Sequence, residues 1–74
     1  MEDSLITIDP DICSGKPCIH GTRITVTNIL SMMAGGYSVD RVLENYPELT
    51  KADVSAALEY ASKIIDRDKI NAQP

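Results

Sequence analysis

Apolar residues recur along residues 26–67 at the spacing of helices, in three blocks separated by glycine or proline. In the first block Val26, Ile29, Leu30 and Met33 stand at i, i+3, i+4 and i+7, which places them on one stripe of an amphipathic helix. Thr25 or Thr27 can cap its start and Gly35-Gly36 closes it. The second block repeats the spacing with Val39, Val42, Leu43 and Tyr46. Ser38 serves as N-cap with Asp40 in the first turn, and Pro47 ends the helix because the residue before a proline is pushed out of the α region. The third block carries Val54, Ala57, Leu58, Ala61 and Ile65, with Ile64 beside them. Thr50 and Asp53 form a shortened capping box at its start, and Glu59 and Lys63 make an i, i+4 pair on its outside. The second and third helices are joined by Pro47-Glu48-Leu49, which is the helix-turn-helix pattern. Leu49 is expected to plug the gap between them while the first helix packs across both.

Ahead of the helices the period changes. Leu5-Ile6-Thr7-Ile8 is short and β-branched, a strand with Ile6 and Ile8 on one face. Asp9-Pro10 stops it. Residues 9–17 are loop material with Ile12 as their apolar anchor. Cys18-Ile19 and Arg23-Ile24-Thr25 read as two very short strands around His20-Gly21-Thr22, where Gly21 supplies a positive φ. Strands this short are marginal in water, so the strand 5–8 is expected to pair with that of a second copy. The predicted fold is therefore mostly α with a short N-terminal β-hairpin, a three-helix helix-turn-helix cluster dimeric through the N-terminal strands. Residues 1–74 form a single domain: a strand and hairpin arm over 5–25, the helices over 26–67 and a disordered tail over 68–74.

A chain of this length buries only about 60–65% of its unfolded surface, so a homodimer would help its marginal core. Hydrophobic residues make up 43% and charged residues 24%, the balance of a soluble globular protein. No apolar run approaches the ~20 residues of a membrane span and no signal peptide is visible, so a cytoplasmic location without membrane association is expected. The net charge of −4 sits awkwardly with nucleic acid, whose binders normally show a basic footprint, and suits a basic protein partner better.

Candidate chemistry is sparse. Cys13, Cys18 and His20 have the look of C-x4-C-x-H, but structural zinc wants four ligands and no further Cys or His exists, so two structural thiols are the expected reading. A disulfide is out of place in a reducing cytosol. His20 lacks a nucleophile or carboxylate dyad at recognisable spacing, and the chain looks too small to enclose a pocket of several hundred cubic ångströms, so no enzyme activity, metal or cofactor is expected. Gly15-Lys16-Pro17 lacks the spacing of a phosphate loop and reads as a turn. The outward positions of the third helix include Lys51, Ser55, Ala56, Glu59, Ser62 and Lys63. That face is small and mild for a recognition helix, which normally offers Arg, Lys, Asn or Gln to base edges. Lys16, His20 and Arg23 of the arm could add contacts to the nucleic-acid backbone. The candidate DNA or partner-binding set is thus Lys16, His20, Arg23, Lys51, Ser55, Ser62 and Lys63.

The run Ile8-Asp9-Pro10-x-Ile12-Cys13-x-Gly15-Lys16-Pro17-x-Ile19-x-Gly21-Thr22-Arg23-Ile24, then Gly36-x-Ser38, then Tyr46-Pro47-x-Leu49-Thr50-x-x-Asp53-Val54-x-x-Ala57-Leu58-x-Tyr60-Ala61, closely resembles the domain-of-unknown-function family 433. The likeness covers residues 5–65, and its most specific part is G-K-P-x-I-x-G-T-R-I. Members are similar to antitoxins, small helix-turn-helix proteins with a hairpin extension, often encoded beside a PIN-like ribonuclease-type toxin. The resemblance implies a dimeric protein that binds its own operator DNA and holds such a toxin. The alternative is a protein-interaction module with no DNA binding. It also marks Gly15, Pro17, Gly21, Thr22 and Ile24, with Lys16 and Arg23, as the signature. Only about nine residues follow Ile65, too few for the separate toxin-wrapping tail of many antitoxins. Arg23 is expected either to face outward as a phosphate or carboxylate fork or, the slightly favoured reading, to face inward in a dimer-interface pair with Asp9 or Asp11.

Overall fold

The structure, a computed structural model, describes residues 5–67; the tail expected at 68–74 lies outside the described residues. Strand β1 (Ile6–Thr7) leads through a turn of 3-10 helix at Cys13–Gly15 to strand β2 (Cys18–Ile19). Helices α1 (Val26–Ala34), α2 (Val39–Asn45) and α3 (Lys51–Arg67) follow.

Each helix begins where its sequence supplies an oxygen for the first free amides. Thr25 rather than Thr27 caps α1, its Oγ1 accepting from the Asn28 amide at 3.1 Å. Ser38 caps α2 by accepting from the Arg41 amide at 3.2 Å. At α3 the box is reciprocal: Asp53 N–H donates to Thr50 Oγ1 (3.2 Å) and Thr50 N–H donates to Asp53 Oδ2 (2.9 Å). Each cap contributes roughly 1 kcal/mol. Helix α1 ends in a Schellman motif, with Tyr37 N–H donating to the Met32 carbonyl and Gly36 N–H to that of Met33, both at 3.0 Å. Gly36 holds φ +105° there, a conformation that an L side chain resists.

The core is one cluster drawn from β2, all three helices and the turns before α1 and α3: Ile19, Ile24, Val26, Ile29, Val42, Leu49, Val54 and Ala57, with Ile6 of β1 packed against it. Leu49 fills the space inside the α2–α3 turn as its position between the helices requires, and Ile29 and Val42 are completely buried. Burying each aliphatic side chain of this kind favours the folded state by about 1.5–3 kcal/mol. Helix α1 packs on both α2 and α3, and α3 also reaches β1.

Two expectations change. The N-terminal strand finds its partner within its own chain: β1 pairs antiparallel with β2, Ile6 opposite Ile19 and Thr7 opposite Cys18. The hairpin expected between Cys18-Ile19 and Arg23–Thr25 is reduced to a Cys18–Thr25 bridge and an Ile19 N–H bond to the Ile24 carbonyl. On α3 the inward row is rotated from the expected stripe. Val54 and Ala57 are buried and Tyr60, Ala61 and Ile64 half-buried, whereas Leu58 (39%) and Ile65 (70%) are exposed. Tyr60, larger than Ala61, takes the inner side and turns Leu58 to the rim. Among the described residues, no helix is long and apolar enough to cross a membrane.

Candidate functional site

The candidate residues of the sequence divide between two places. The first is the outer face of α3. At about 100° per residue, Lys51, Ser55 and Ser62 fall within about 40° of one another on the helix wheel, with Glu59 and then Lys63 to one side. All five are exposed. Leu58 and Ile65 border the same face on its other side, so what α3 presents outward is a polar row with an apolar edge. The sequence pattern puts both on the apolar stripe, Leu58 four residues after Val54 and Ile65 four after Ala61; only the packing partner decides which half of that stripe is covered.

The second place is the arm. The turn after β2 is fastened from inside. Thr22 accepts at Oγ1 from the Ile24 amide (3.0 Å), and both its hydroxyl and its amide donate to the Ile19 carbonyl (2.9 Å each). Gly21 sits at φ +83° with open space where a Cβ would stand, so glycine is there for its backbone angle. This turn throws His20, Gly21 and Arg23 to one side, where with Thr7, Asp9, Ile12, Cys18 and Thr22 they line a cleft of about 450 Å³. The cleft is open on one side, with β1 crossing in front of the turn as one of its walls.

Within the cleft, His20 Nδ1 and Thr7 Oγ1 lie 2.9 Å apart in a hydrogen bond, tying the imidazole to β1 and fixing the plane of its ring. Asp9 accepts the Asp11 amide at 2.8 Å in an Asx turn. Arg23 is exposed and forms an ion pair with neither Asp9 nor Asp11. The Asx turn spends one Asp9 oxygen on its own backbone, and Arg23 lines the cleft without a salt bridge to the described residues of its own chain. Lys16, exposed after the 3-10 turn, does not line it.

Cys18 stands in the wall of the cleft, and Cys13 is bonded to the same turn. Cys13 Sγ donates to the Arg23 carbonyl (3.4 Å) and Cys18 Sγ to the Thr22 carbonyl (3.6 Å). Cys18 is 1% exposed while Cys13 is half-buried. Burial pushes the Cys18 thiol up, a hydrogen bond with Cys13 and that neighbour's charge push the same way, and Arg23 opposes them. Cys13 and Ser14 both hold positive φ, 54° and 56°, where non-glycine residues are strained by about 1–2 kcal/mol each. Among the described residues, no group of three or more His, Cys, Asp or Glu side chains is arranged to hold a metal.

The α2–α3 pair backed by α1, with a two-strand arm in front, defines a mostly helical helix-turn-helix-type domain. The match to the family described as "Protein of unknown function (DUF433)" extends over residues 6–61. The chain belongs to that family. It is 39% identical over 57 residues to the uncharacterized protein y4eO of Sinorhizobium fredii (strain NBRC 101917 / NGR234), covering 77% of this chain and 26% of that one. The chain thus spans about a quarter of that relative's length. Its fold matches the crystal structure of a DUF433 member protein from Anabaena variabilis ATCC 29413 with a TM-score of 0.80 and 36% identity, covering 93% of this chain and 69% of that one.

Proposed function

We propose that this protein is an antitoxin-like helix-turn-helix protein that binds the operator DNA of its own operon as a homodimer and neutralises a PIN-like toxin. The observation that carries the reading is the α2–α3 unit. Leu49 locks its turn, and the side of α3 turned away from the core holds Lys51, Ser55 and Ser62 in one row. Small hydroxyl side chains let a helix backbone approach phosphates closely, and Lys51 in the first turn adds charge where the helix dipole is already positive. Glu59, beside this row, opposes phosphate and keeps the single-copy affinity low. A dimer doubles the row and brings a second Arg23 and Lys16, a local positive patch on a pair whose net charge is −8, twice the −4 of one chain. The test is a gel shift on the DNA upstream of the gene, across a salt series. Lys51→Ala and Arg23→Ala should each flatten the salt dependence. Absence of any shift at low salt, with or without the product of the adjacent reading frame, refutes DNA binding.

The exposed Leu58 and Ile65, with Glu59 across the polar row from them, favour a second reading, a protein-interaction module that covers this face with a basic partner. Co-expression with the adjacent reading frame separates the two, since a tight complex without DNA affinity supports only the second.

A further inference from the structure

The two thiols have no part in the DNA reading, yet they are placed with care. They lie five residues apart in sequence, on either side of the Gly15-Lys16-Pro17 loop. They donate to the carbonyls of two consecutive residues, Thr22 and Arg23, at 3.6 and 3.4 Å. Donation to adjacent carbonyls of one short turn brings the sulfurs into the same small volume. They differ in access: Cys13 is half-buried, on a backbone held at φ +54°, while Cys18 is sealed in the core beneath the cleft. An accessible thiol beside a buried one is the arrangement of an attacking and a resolving cysteine.

We infer that Cys13 and Cys18 form an intramolecular disulfide on exposure to hydrogen peroxide, and that this pair is an oxidation site acting on the Thr22–Arg23 turn. The chemistry balances in two steps. The Cys13 thiolate attacks peroxide, its sulfur takes the distal oxygen to become a sulfenic acid, and hydroxide leaves. The Cys18 sulfur then attacks the sulfenic sulfur, the S–O bond breaks, and water departs with the Cys18 proton. Two thiols are oxidised to one disulfide as one peroxide is reduced to two waters. The product can no longer donate to the Thr22 and Arg23 carbonyls, because both S–H donors are gone. The turn that positions His20 and Arg23 at the cleft loses two of the contacts that hold it from behind. Reduction by a thiol restores them, as in the transient disulfides of reducing compartments.

The test is peroxide treatment of the full chain followed by intact mass, thiol counting and amide NMR. The expected product is a monomeric chain lighter by two hydrogens, about 2 Da, with no free thiol, reversed by dithiothreitol. The largest amide shifts should fall at Thr22, Arg23 and Ile24. Cys13→Ser, which leaves the core intact, should abolish the mass loss and leave Cys18 unreactive for as long as the fold persists. Addition of two or three oxygens at Cys13 with Cys18 still reduced would overturn the proposal. So would a disulfide linking two chains, or a Cys18 oxidised as fast in Cys13→Ser as in the parent.

Discussion

Leu49 and Leu58 are the same residue type nine positions apart, and the fold gives them opposite roles. Leu49 is 6% exposed in the α2–α3 turn and Leu58 is 39% exposed on the rim of α3. Truncation to alanine removes the same three carbons from each. At Leu49 their transfer alone costs about 2.4 kcal/mol at ~0.8 kcal/mol per methylene. The cavity left among Val42, Val54 and their neighbours raises that to roughly 3 kcal/mol, inside the span of about 2–5 seen for buried Leu→Ala changes. A chain of this size has a total stability of about 4–11 kcal/mol, so Leu49→Ala should be marginally folded. At Leu58 the carbons are already partly in water and alanine is the better helix former, so the cost should stay under about 1 kcal/mol. Guanidinium unfolding followed by far-UV circular dichroism measures both, and an unchanged m-value confirms that the change is one of stability. The melting point should fall by roughly 12–24 °C for Leu49→Ala, at about 4–8 °C per kcal/mol. Equal losses at the two positions would refute the packing of α3 described above and restore the stripe read from sequence.

Thr50→Ala and Asp53→Ala should each cost about 1 kcal/mol, and the double variant less than their sum, because each removal also frees the partner of a reciprocal box; a double-mutant cycle on unfolding midpoints reads the coupling. Gly21→Ala meets no atom within 4 Å, so its cost of about 1–2 kcal/mol should be purely one of backbone angle, and Gly21→Asn should recover part of it in the same assay. Glu59→Gln should tighten DNA in the gel shift, and a loss of affinity would argue that the α3 row is not the contact surface. The raised Cys18 thiol predicts an alkaline instability. Its stabilising effect is complete below the ordinary thiol value of 9.0 and is lost as pH rises through the higher folded-state value, because the unfolded chain then sheds a proton that the native chain keeps. Urea midpoints taken from neutral to strongly alkaline pH should therefore fall more steeply in the parent than in Cys18→Ala.

Three helices, their caps and the closing Gly35-Gly36 were legible in the sequence, since capping and the 3.6-residue period are local physics acting within one turn of chain. Thr25, Ser38 and the Thr50–Asp53 box need no distant partner to do their work. The G-K-P-x-I-x-G-T-R-I signature likewise sufficed to point to the family. What covers each helix face is a different matter. A stripe of apolar residues on α3 is wider than the surface that α1 and α2 bury, and only their packing left Leu58 and Ile65 outside while drawing Tyr60 in. The partner of β1 was equally out of reach, because a two-residue strand carries no register information and pairs with whatever edge the loop returns to it. That return built the arm's chemistry: it walled the cleft that His20, Arg23 and Asp9 line, and brought Cys13 and Cys18 to consecutive carbonyls. Local sequence set the elements; long-range packing decided which side chains meet.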